Sequence, residues 1–162
     1  MSQQRRVEEQ IPSLAGAAYR ITSPADPDYN CVSWALRDTA RWWSPGLDRR
    51  NHWPDDVPAW PSLTAFVELF ERDGYKRCGN PDLEEGVEKI AIFANAIGEP
   101  AHVARQLKGG KWTSKLGSGV DIEHDELDAV ACGLLGRVKV IMCRDNPDIE
   151  AERPTFEVVS GS

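Results

Sequence analysis

The 162 residues amount to one domain, long enough to bury a core without disulfide staples. A hydrophobic share of 41% beside 28% charged residues suits a globular chain, and a net charge of −7 argues against nucleic-acid or anionic-membrane binders, which want a basic face. No apolar run reaches the roughly 18 residues of a membrane span, and the opening MSQQRRVEEQIPSLAGAAYR lacks the apolar centre of a secretory signal. A cytoplasmic location is therefore expected, unless export proceeds by a route that needs no such signal.

Residues 1–20 mix charges with few large apolar groups and are expected to be a loose arm. The stretch TSPADPDYN has turn chemistry, and a helix is predicted to begin near Asn30 or Cys31. Val32, Ala35 and Leu36 would face the core, and Arg37, Asp38 and Arg41 the solvent. WWSPGLDRRNHWPDDVPAWP shows no period and reads as a long ordered loop, either a lid or a satellite aromatic cluster. Five of the six tryptophans lie between Trp34 and Trp60.

SLTAFVELFERDGY is the clearest helix, capped by Ser62, striped by Leu63, Phe66, Val67 and Phe70, and ended by Gly74. YKRC is extended and NPDLEEG is a turn. VEKIAIFA reads as a central strand, AHVARQL and KWTSKLG as a hairpin about KGG, and SGVDIEH as another extended piece. HDELDAVACGL suggests a short helix, GRVKVIMCR a last strand, and residues 146–162 a loose tail. Two helices, a strand meander and a late helix, within a single domain over residues 21–145, predict an α+β fold.

Four cysteines, Cys31, Cys78, Cys132 and Cys143, are scattered and expected as free thiols. Without a Cys-x-x-Cys element no metal site is expected, and no cofactor motif is present. Cys31 at a helix start is the candidate nucleophile, since free amides and the helix dipole favour a thiolate. Of the three histidines, His102 sits on a strand, a rigid mount for a base. His102 needs a polar group to fix its tautomer. The hairpin offers Ser114 first, and Asp121 could fold back to serve instead. The competing readings of Cys31 are a core cysteine beside a structural histidine, or a metal ligand.

YNCVSWAL resembles the start of the catalytic helix in NlpC-like cysteine peptidases and amidases, a branch of the papain-like superfamily. LEEGVEKIAIFA and AHVARQLKGGKWTS resemble that family's next strand and its histidine-bearing hairpin. The chain is also similar to bacterial proteins of unknown function that carry NCVAWA, HVARQL and WTSKLG…DIEH. The resemblance implies a papain-like α+β fold with an N-terminal catalytic helix on an antiparallel sheet. It also implies a thiol hydrolase or acyltransferase for amide, peptide or ester bonds, using Cys31 and His102. Trp34, Trp43, Trp53, Trp112 and Lys115 would then line the substrate cleft, and Lys115 could hold a carboxylate. The alternative is a non-enzymatic immunity or adaptor protein that binds a protein partner through its Trp-rich loop.

Overall fold

The apolar run of VEKIAIFA forms the strand about which the fold is built. The structure, a computed structural model, describes residues 2–46 and 50–146. The expected loose tail falls almost wholly outside these residues. Among them, the strands are β1 (Tyr19–Ser23), β2 (Lys76–Arg77), β3 (Val87–Ala94), β4 (Pro100–Gln106), β5 (Trp112–Lys115), β6 (Asp121–His124) and β7 (Arg137–Asp145). They form one sheet in the order β1-β6-β5-β4-β3-β7-β2, every neighbouring pair antiparallel.

This β-rich architecture overturns the expected papain-like α+β fold. Helix α1 (Gln3–Gln10) has 8 residues, α2 (Cys31–Ala35) only 5 and α3 (Leu63–Arg72) 10, so there is no catalytic helix of the expected kind to set against the sheet. The cause is local at α2. Leu36 caps the helix, and Arg37 takes a left-handed φ of 62°, which turns the chain after little more than one turn. That turn sends the Arg37 guanidinium not to solvent but onto the buried carboxylate of Glu88.

Side-chain alternation along the strands divides the core in two. On the first face Ile90, Ile92, Val103, Val140 and Met142 meet Val32 and Ala35 of α2 and Phe66, Val67 and Phe70 of α3. On the second face Ala91, Phe93, Ala104, Trp112 and Ile122 meet Val7, Ile11 and Leu14. The described part of the expected loose arm, residues 2–20, is thus packed on the sheet. Val7, Ile11 and Leu14 recur on one side of α1 and the following 3-10 turn (Pro12–Leu14), and all three are buried. The expected late helix is a 3-10 turn over Leu127–Val130, because DIEH is taken by β6.

Gly136 permits the tight entry into β7. Its φ is +77°, and a Cβ there would collide with the carbonyl of Ala94.

Candidate functional site

Asn30 fixes where α2 starts. Its side chain accepts from the Ser33 amide (3.1 Å), the Ser33 hydroxyl reaches back to the Asn30 amide (2.7 Å), and Asn30 Nδ2 donates to the Trp43 carbonyl (2.7 Å). This capping box presents Cys31, half-buried, as the first helical residue. The Cys31 thiol is met by the backbone amides of Val103, Val32 and Cys31 itself, and Lys115 acts on it electrostatically. Burial nonetheless outweighs these groups and raises the thiol pKa above its ordinary value, so at rest Cys31 is a neutral thiol.

Lys115 lies on the same face as Cys31. Its Nζ donates to the carbonyls of Asp26 (2.7 Å) and Gly117 (2.6 Å) and sits 4.7 Å from the centre of the Tyr29 ring. Burial lowers its pKa, and the charges of Asp121, Asp26 and Cys31 oppose that shift. Asp121, paired with Lys115 across β5 and β6, accepts from Thr22 Oγ1 and from Tyr29 Oη (2.8 Å). Burial, then Asp121, drives the Tyr29 phenol well above its usual range. Trp34 Nε1 donates to Thr113 Oγ1 (2.9 Å), and the Arg105 guanidinium lies 5.5 Å over the Trp34 ring. Cys31, Trp34, Lys115 and Asp121 are therefore brought to one face.

His102 is not brought to them. Strand alternation puts Val103 and Arg105 on the Cys31 face and His102 with Ala104 on the other. There the His102 imidazole meets Phe93 edge-on, ring centres 5.3 Å apart. A Cys31–His102 pair is thus not assembled. What His102 does make is a buried chain with Ser114 and His124. His102 Nε2 is 2.9 Å from Ser114 Oγ, which is 2.9 Å from His124 Nε2, and His124 Nδ1 is 2.8 Å from the Glu126 carbonyl. The carbonyl can only accept, so His124 Nδ1 donates and its Nε2 accepts from the Ser114 hydroxyl. Ser114 in turn accepts from His102 Nε2–H. Every group in the chain is neutral. Burial, then His124, lowers the His102 pKa to about 3, and burial lowers that of His124.

Ser114 is the partner of His102, while Asp121 lies on the opposite face and does not serve it. Trp112 is buried in the second core, away from Cys31. Trp43 donates to Asp38 Oδ2 (2.7 Å) and meets His52 edge-on, and Trp53 donates to the Pro58 carbonyl (3.0 Å) and packs on Phe66. Both are packing for α2 and α3 rather than cleft lining. Sequence reasoning did not single out Tyr29 or Thr113. The signal for Tyr29 was the aromatic just before Asn30, but its partner Asp121 is 92 positions away. Among the described residues no three His, Cys, Asp or Glu side chains come together as a metal site, and no helix is long and apolar enough to cross a membrane.

Fold and site define an antiparallel-sheet protein with a charged thiol cluster on one face and a neutral histidine chain on the other. The chain belongs to a family described as a domain of unknown function (DUF7689), whose model matches residues 20–143, from β1 into β7. No curated protein and no solved structure matches it.

Proposed function

We propose that the protein is a thiol-dependent hydrolase or acyltransferase with Cys31 as nucleophile and Lys115, rather than His102, as the charge that supports the thiolate. The observation that carries this reading is the convergence of three backbone amides and the Lys115 ammonium on the thiol of Cys31, a half-buried residue at a capped helix start. The thiol loses its proton to water, and the sulfur attacks the carbonyl carbon. The carbonyl electron pair moves to oxygen, then returns to expel the leaving group as a thioester forms. Water or a second nucleophile then releases the acyl group.

Among the described residues His102 and His124 lie in the far-face chain and His52 packs against Trp43 and Arg41, so none is placed to protonate a departing amine. Esters and thioesters, whose leaving groups depart as anions, are therefore preferred to amides. A non-enzymatic binding protein is the second reading, favoured by the neutral resting thiol and by Trp60, which is 71% exposed.

Incubation with p-nitrophenyl acetate followed by peptide mass spectrometry separates the two. The expected result is an acetyl adduct on Cys31 that forms faster from pH 7 to pH 9, slows in Lys115→Met and is unchanged in His102→Asn. Acetylation of Cys31 no faster than that of Cys78, Cys132 and Cys143, or release of p-nitrophenol unchanged in Cys31→Ser, would overturn the catalytic reading.

A further inference from the structure

Two cysteines that the proposed chemistry does not use meet at the far edge of the sheet. Strand β2 pairs with β7 so that Lys76 faces Cys143 and Arg77 faces Met142. One residue on, the Cys78 amide donates to the Ile141 carbonyl (3.0 Å). Cys78 and Cys143 are thus diagonal cross-strand neighbours on one side of the sheet. The Cys143 thiol acts directly on that of Cys78, and both residues are half-exposed.

A cation completes the cluster. Lys89 lies opposite Cys143 across β3 and β7, and its ammonium acts on Cys78. Lys89 Nζ is held by the Asn80 carbonyl (3.0 Å) and by Glu84 Oε1 (2.8 Å), and the Cys78 thiol points at the same Asn80 carbonyl (3.9 Å). Cys31 is on the opposite face, and the Cys132 sulfur accepts from the Leu135 amide (3.4 Å) in the turn before β7.

We propose that Cys78 and Cys143 are a redox-modification site, a dithiol that a peroxide closes to a disulfide. One sulfur attacks a peroxide oxygen, the O–O bond breaks, and a sulfenic acid and water form. The second sulfur attacks the sulfenic sulfur, the S–O bond breaks, and a second water leaves. Two thiols and one hydrogen peroxide give one disulfide and two waters. The bridge ties the 78–86 turn, which holds the partners of Lys89, to β7. Burial and the Cys143 hydrogen bond push the Cys78 thiol up to about 11, so closure quickens as the pH rises above neutral.

The test is non-reducing tryptic mapping of the folded, full-length protein after treatment with hydrogen peroxide. The expected product joins peptides 78–89 and 140–144, weighs two hydrogens less than their sum, and separates on reduction. It persists in a Cys31→Ser/Cys132→Ser double variant and is lost in Cys143→Ser and in Cys78→Ser. Sulfinic acid at either position without the bridge, or bridges spread over all four cysteines, would overturn the proposal. The double variant reads the pair even where a single serine substitution fails to fold.

Discussion

Acid should weaken this fold well above the range in which its carboxylates titrate, and His102 should carry a definable share of the loss. In the unfolded chain a histidine takes up a proton near pH 6.5. Folded His102, 1% exposed and donating to Ser114, stays neutral until about pH 3. Between those values the unfolded state holds more protons, so stability falls as pH falls, by about 1.4 kcal/mol per unit for a fully shifted group. The contribution is complete above pH 6.5, and by pH 5 about 2 kcal/mol of it is gone. His124 and His52, whose pKa values are also lowered, add in the same sense. The perturbation is His102→Asn, which keeps a donor for Ser114 and removes the titration. Urea unfolding at pH 7 and pH 5 reads it as the difference between the two midpoints, so the variant's own packing loss cancels. The wild-type drop should exceed the variant's by about 2 kcal/mol. Equal drops would refute the neutral, buried assignment of His102.

Glu88 should define a second and lower acid window. Burial opposes its ionisation, but Arg37, Tyr75 and Asn146 bring its pKa down to about 2, so its stabilisation is present above about pH 4.5 and lost toward pH 2. Acid titration followed by circular dichroism should show that step disappear in Glu88→Gln. Asn30→Ala, which removes the cap of α2 and a buried bond to the Trp43 carbonyl, should cost about 1–3 kcal/mol in urea unfolding. Gly136→Ala should cost at least about 1 kcal/mol, because a left-handed φ and a clash with Ala94 combine, and a melting temperature unchanged by it would contradict that turn geometry.

The strands were legible because their signal is local. VEKIAIFA, AHVARQL, KWTSKLG and GRVKVIMCR each carry enough apolar or β-branched residues to mark a strand, and all appear in the sheet. The Ser62 cap and the Leu63–Phe70 stripe likewise marked α3. The fold class was misread because α2 ends early, through a left-handed Arg37 whose partner Glu88 is 51 positions away. The N-terminal segment was misread because three apolar residues in a polar stretch look weak until a sheet face is there to receive them. Ser114 was found as the partner of His102 because hairpin register is local, whereas Asp121 turned out to serve Tyr29 and Thr22.

The placement of Cys31 and His102 turns on parity, and parity explains why the two clusters differ in charge. Phe93 pairs with His102 but Ala94 pairs with Pro100, so Ala101 is the extra residue of a bulge. Beyond it, Val103 and Arg105 point with Thr113 and Lys115 toward α2, while His102 and Ala104 point with Ser114 toward the 3-10 turns. A slip of one residue would exchange the sets and push Arg105 and Lys115 into a closed apolar core, at the cost of burying uncompensated charge. Lys115 has its carbonyls and Asp121 only on the side it occupies, and His102 has its hydroxyl only on the other. The two faces are therefore chemically separate. The face with Cys31 keeps an ammonium and a carboxylate beside the thiol, whereas the His102–Ser114–His124 chain on the far face is neutral. If Cys31 reacts as proposed, its pH dependence should follow the thiol and Lys115 and be blind to His102. A Cys31 acetylation profile that shifts in His102→Asn but not in Lys115→Met would mean that the sheet does not divide the molecule in this way.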